Sequence, residues 1–183
     1  MEYEITAPKF FYDLKAIPAF KHAIIAGGYL RDQVYGIKPK DLDIFMPIQY
    51  DRTFQAQVLA AYPNAVYDAD QYGRSDFQKF HLEEDGMTIE IMGVHTLTEK
   101  FGNNLIETFP WANQQIFFDG KKLFTSTRFD EDIKHGSMTL VNCTGIGRLP
   151  AMMTKFNSVS SRYPGLQFRS DYLLTRRNGD DWL

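Results

Sequence analysis

A chain of 183 residues with 44% hydrophobic and 23% charged residues has the make-up of one folded domain, which excludes disorder, collagen and coiled coil. Its single cysteine, Cys143, excludes an internal disulfide framework and a multi-cysteine zinc site. The net charge of −3 divides into −7 over residues 1–120 and +4 over 121–183, so nucleic-acid contacts are expected to be local and in the C-terminal third. The N-terminus carries charges where a signal peptide would be apolar, and no run approaches the ~20 apolar residues of a membrane span. A cytoplasmic protein with no membrane partner is expected. The 15 Phe, 10 Tyr and 2 Trp are read as core filling.

In chain order, a short helix near Tyr12–Ile17 should stop at Pro18. AIIAGG (23–28) reads as a buried strand ending in a glycine turn, and YLRDQVYG (29–36) as a short helix closed by Gly36. DLDIFM (41–46) alternates and then becomes apolar, as a strand entering a core does, with Pro47 as its end. Residues 52–62 should be helical. NAVYDA, 76–84 and 87–94 should be strands, the last two forming a hairpin on Asp85-Gly86. A helix over 96–105 capped by Thr96, a second hairpin on Asp119-Gly120, a helical turn at FDEDIKHG and a strand at SMTLVNC follow. The last clear element is a helix over 147–163, with Leu149, Met152, Met153, Phe156 and Val159 on one face and Pro150 in its first turn. The order suggests an α+β fold with a mixed sheet and flanking helices. Residues 1–145 would form the main body, and 146–183 a C-terminal helix and tail packed on it.

The chemistry is concentrated in AIIAGGYLRDQVYGIKPKDLDIFM. On a strand, Asp41 and Asp43 point to one face while Leu42, Ile44 and Met46 point to the other. Two adjacent carboxylates repel, so they call for solvent, a shared proton or a cation. With all-oxygen ligands the cation of choice is hard and divalent. Gly27-Gly28, directly after a strand and before a helix, allow backbone amides to approach phosphate. Two-metal phosphoryl chemistry needs a further carboxylate, and Glu90, alone in the apolar strand MTIEIMGV, is the candidate. Each feature also has a plainer explanation: a solvated strand end for Asp41/Asp43, a tight turn for the glycines, an edge-strand face for Glu90.

GGYLRD followed by KDLDI resembles the head domain of the class II tRNA nucleotidyltransferase and poly(A) polymerase family, within the DNA polymerase β-like nucleotidyltransferases. That family has a GGxVRD stretch, a loop ending in glycine and a (K/R)DxD(I/L) strand. Gly27, Gly28, Leu30, Arg31, Asp32, Gly36, Lys40, Asp41, Asp43 and Ile44 match, and Glu90 fits the later acidic position. The resemblance implies Mg²⁺ or Mn²⁺ on Asp41, Asp43 and Glu90. It also implies an NTP held by Gly27, Gly28, Arg31, Asp32 and Lys40, and transfer of NMP to an acceptor hydroxyl. The family's R-R-D-F-T-x-N-A stretch is reduced here to ETFPWANQQIFF, without the double arginine. The chain also stops where the family continues into the helical domains that hold tRNA. A small stand-alone or phage-type nucleotidyltransferase is therefore expected, with RNA or tRNA, a protein or a small molecule as acceptor. The competing reading is a non-catalytic module of the same fold that binds a nucleotide or a protein partner.

The four histidines show no pair at helical metal spacing, Cys143 reads as a small core residue, and TGIGRLP lacks the third glycine of a dinucleotide fingerprint. Arg148, Lys155, Arg162, Arg169 and Arg176 recur every seven residues. The first three would form one stripe on the 147–163 helix, either a solvated edge or a rail for the phosphates of an acceptor.

Overall fold

The computed structural model describes residues 3–48, 53–68, 77–95, 100–142 and 149–170. The elements are α1 (Lys9–Ala16), β1 (Ile24–Ala26), α2 (Gly28–Val34), β2 (Asp41–Ile48), α3 (Thr53–Ala61), β3 (Val66–Tyr67), β4 (Phe77–Glu84), β5 (Met87–His95), α4 (Phe101–Glu107), β6 (Ile116–Phe118), β7 (Leu123–Thr125), α5 (Thr127–His135), β8 (Ser137–Leu140), α6 (Leu149–Ser160) and β9 (Gln167–Ser170), with short 3₁₀ turns at Pro18–Phe20 and Ala112–Gln114. A seven-stranded sheet runs in the order β3-β4-β5-β2-β1-β6-β7, and β8 and β9 form a separate pair. Within the large sheet β2 and β5 are parallel and the other pairings antiparallel. The expected mixed α+β architecture is the one observed.

Strand alternation divides the core. Leu42, Ile44, Met46 and Ile48 of β2 and Ile89 and Ile91 of β5 join Phe11 and Leu14 of α1 and Phe54 and Val58 of α3 on one face. Phe45, Met92, Ile24 and Phe117 lie on the other, beneath Phe101, Leu105 and Ile106 of α4. A third cluster joins Trp111 to Met138 and Leu140 of β8, Val159 of α6 and Tyr163. The local signals work where chemistry is strong. Asp85 and Gly86 take φ of 50° and 74° at the β4–β5 turn, the pair of positive values a type I′ hairpin needs. The Ser126 hydroxyl accepts the Phe129 N–H at 3.0 Å, and Gly136 closes α5 in the left-handed region.

Three elements differ from expectation. Pro47 does not end β2, which continues to Ile48 beside β5. β1 begins opposite Phe45, so Pro47 lies past the end of that neighbour and its missing N–H interrupts no ladder there. α6 ends at Ser160 rather than 163. β9, pairing in parallel with β8, was not foreseen, because four residues carry too short a pattern. The expected Thr96 cap lies outside the described residues.

Packing over the second face is tight. A Cβ on Gly102 of α4 would stand 2.4 Å from the Phe117 ring, which is itself stacked on Phe124 with centroids 4.5 Å apart. Gly102→Ala should therefore destabilise the fold by about 1–2 kcal/mol despite better helix propensity. Urea unfolding reads this directly, and a neutral or stabilising result would mean the ring shifts freely.

Candidate functional site

Asp41, Asp43 and Phe45 share a face of β2, and the buried Phe45 packs beneath α4. In the parallel ladder Asp43 is the register partner of Glu90, and Asp41 that of Thr88, so Glu90 points to the same side as Asp43. The structure thus brings the three carboxylates expected from the sequence to one face. Asp43 and Glu90 share a side-chain hydrogen bond. Burial, then the charges of Asp41 and Glu90, push the Asp43 carboxyl up to about 7, against a partial counter-effect from Lys155.

Two lysines address this group. Lys79 of β4 is the register partner of Met92, which places it on the same face, and its Nζ meets Glu90 Oε1 at 2.6 Å. Lys155, on the exposed side of α6, lies near enough to Asp43 to favour its ionised form. Among the described residues no three His, Cys, Asp or Glu side chains stand as a ready metal cage. The donor set is nonetheless that of a hard cation: all-oxygen, anionic, and short of positive charge at Asp43. Lys79 is the functional neighbour that the sequence reading missed. No local pattern marks it, since only the β4–β5 register sets it beside Glu90.

The glycine turn is built as the motif suggested, with one difference. Gly27 has φ 80° and ψ −128°, a region open essentially to glycine, and its N–H is spent on the Ile116 carbonyl at 3.0 Å. The amides of the first turn of α2, beginning at Gly28, have no intrahelical acceptor, and they are what remains for an anion. Lys40 is exposed just before β2.

Arg31 and Asp32, expected at the nucleotide, are 3% and 2% exposed and lie in a buried cluster. Asp32 Oδ1 accepts from Arg31 Nε at 3.0 Å and Nη2 at 2.6 Å, and from the Tyr163 hydroxyl. Its Oδ2 accepts from Arg162 Nη2 at 2.6 Å. Burial alone would lower the Arg31 guanidinium, but Asp32 and Tyr163 beside it raise it on balance. Arg162 also donates to the Lys38 carbonyl. It therefore lies beyond α6 and turns inward, tying the C-terminal segment to α2, while Lys155 remains on the helix. Arg148, the third residue of the expected stripe, lies outside the described residues, as do Cys143 and Arg176. Asn113, the residue shared with the family's shortened stretch, is fully buried beside the Tyr35 hydroxyl.

No family model and no curated protein matches the sequence. Solved structures do match. A Thermotoga maritima CCA-adding enzyme complexed with tRNA superposes over 94% of this chain with TM-score 0.65 and 18% identity. A CCA-adding enzyme in complex with CTP gives TM-score 0.66 at 16% identity over 93% of the chain. The chain shares the fold of these CCA-adding enzymes. A tRNA-processing enzyme in its apo form agrees, with TM-score 0.64 and 14% identity over 90%. The chain spans less than half of those proteins, 42% of the first two and 45% of the third. Among its described residues no helix is long and apolar enough to cross a membrane.

Proposed function

We propose that the chain transfers a nucleoside monophosphate from an NTP to an acceptor hydroxyl in a divalent-metal-dependent reaction, with an RNA 3′ end as the first acceptor to test. The observation that carries this reading is the parallel register that seats Glu90 beside Asp43 on the face that also carries Asp41; burial, then the charges of Asp41 and Glu90, raise the Asp43 carboxyl to about 7. A strand end with no function would relieve that crowding by turning into water.

Asp41, Asp43 and Glu90 would hold Mg²⁺ or Mn²⁺, which when bound supplies charge neutralisation and activation of the attacking oxygen. The chain's own contribution is placement. The β2–β5 register fixes Asp43 beside Glu90. Asp43 would give up its proton on binding the cation, so metal affinity should rise with pH. The first turn of α2 and Lys40 provide donors for the triphosphate. The acceptor oxygen forms a bond to the α-phosphorus, the bond to the β-phosphate oxygen breaks, and pyrophosphate leaves.

The second reading, a non-catalytic module for a nucleotide or a protein partner, is favoured by one observation: Glu90 already carries a counter-ion in Lys79 at 2.6 Å. The two separate on incubating the protein with each α-labelled NTP, Mg²⁺ or Mn²⁺, and cell lysate as a source of RNA, protein and small-molecule acceptors. Transfer of label to RNA is expected. Lys79→Met should free Glu90 and tighten Mn²⁺ binding by roughly tenfold, read by calorimetry, since one unpaired carboxylate gained near a cation is worth on the order of 1 kcal/mol. NTP binding without transfer to any acceptor, together with unchanged Mn²⁺ affinity in Lys79→Met, would establish the binding module instead.

A further inference from the structure

On the face of the sheet that carries Asp43, but at its other end, a groove of about 610 Å³ opens between α1, the loop before β1, the start of α4 and the β6–β7 hairpin. Pro47 lines it, four residues or roughly 13 Å along β2 from Asp43, and none of the carboxylates of the transfer site does. In a protein of net charge −3, the groove is lined by Lys15, Lys21, Lys100 and Lys121, with Asp119 as the one acidic lining residue. That acid is already occupied: its Oδ1 accepts the backbone N–H groups of Lys121 and Lys122 at 2.7 and 2.8 Å. Lys15 is also engaged, its ammonium donating to the carbonyls of Lys21 and Ala23. Lys21, Lys100 and Lys121 are exposed, and among the described residues no carboxylate pairs with their ammonium groups.

Aromatic rings interleave with these charges. Tyr12 is 48% exposed and Phe124 is half-buried, stacked within 7° of parallel on Phe117; all three line the groove. Cations able to follow a phosphate backbone beside ring faces able to stack on bases are the two components of a single-strand site. The volume lies within the range of pockets that hold one small ligand, the size of one or two unpaired nucleotides.

We propose that this groove binds single-stranded nucleic acid. The surface is independent of the transfer chemistry, and its test reads binding alone. It is assembled from four separate segments (residues 12–24, 47, 100–103 and 117–124), so no local run of basic residues marks it in the sequence. Fluorescence anisotropy with labelled oligo(rU) and oligo(rA) should show saturable binding, with a log–log salt slope of about −1.4 to −2.1 for two or three phosphates on a single strand. The double variant Lys21→Glu/Lys121→Glu should weaken it at least tenfold. Tyr12→Ala should weaken it roughly fivefold or more with the salt slope unchanged, as loss of one stacking face does. Absence of binding, or binding untouched by the double charge reversal, would overturn the proposal. So would equal affinity for a duplex of the same length, or a Tyr12→Ala variant with full affinity, since either reduces the groove to a general polyanion surface.

Discussion

Asp43→Asn should abolish metal-dependent nucleotidyl transfer while making the metal-free protein more stable at alkaline pH. The loss of activity should be on the order of 10²–10³-fold or greater, the cost typical of removing one electrostatic stabiliser of a transition state. The stability gain follows from linkage. An aspartate that titrates at 3.8 in the unfolded chain and at about 7 in the folded one binds its proton more tightly when folded. Between those values the folded state therefore holds more protons, so stability falls as pH rises and the deficit is complete above about pH 7. The shift corresponds to a ceiling of about 4 kcal/mol, and about 2 kcal/mol is a reasonable share for a carboxylate that solvent partly reaches. Asn removes the charge and with it the penalty. Thermal unfolding without metal should show the variant several degrees more stable than the parent at pH 8 and equal to it near pH 4. Equal unfolding temperatures at both values would mean that Asp43 has an ordinary carboxylate pKa. A variant that fails to fold would make the pair structural.

Asp32→Ala should be the most damaging single change among the residues that match the family motif. It leaves the Arg31 guanidinium, 3% exposed, without its carboxylate, and it releases Arg162 and the Tyr163 hydroxyl from the same acceptor. Breaking a buried pair by removing one partner costs about 3–5 kcal/mol, because the remaining charge stays buried. At about 2–4 °C per kcal/mol for a chain of this size, unfolding should move down by roughly 10 °C. Asp32→Asn, which keeps an acceptor, should lose less. A loss below about 1 kcal/mol in Asp32→Ala would show that water replaces the carboxylate. The same substitution also cuts the tie between α2 and the segment after α6, the helix that carries Lys155 towards Asp43. A shift of Lys155 away from Asp43 should then remove part of what favours that carboxylate's ionised form, so metal binding in Asp32→Ala, measured at a temperature where the variant is folded, should need higher pH than in the parent.

By itself the sequence determined the elements whose signals are local. Asp85-Gly86 forced a hairpin because both residues tolerate positive φ. Leu42, Ile44 and Met46 had to be buried on the face opposite Asp41 and Asp43, because strand alternation admits no other arrangement. Gly27 had to be glycine at a strand-to-helix turn with φ 80°. Tertiary structure decided everything that depends on which strands meet. The parallel pairing of β2 with β5, across 46 intervening residues in sequence between Asp43 and Glu90, set Glu90 on the face of Asp41 and Asp43, and the β4–β5 register set Lys79 against it. The fold also sorted residues that look alike in a motif. Arg31 and Asp32 went into a buried ionic cluster because the C-terminal segment brought Arg162 and Tyr163 to them, while Lys155 stayed at the carboxylate face. Charge, burial and partner choice are properties of contacts between distant segments. Local pattern fixes where a side chain points within its element, and only packing fixes what it meets there.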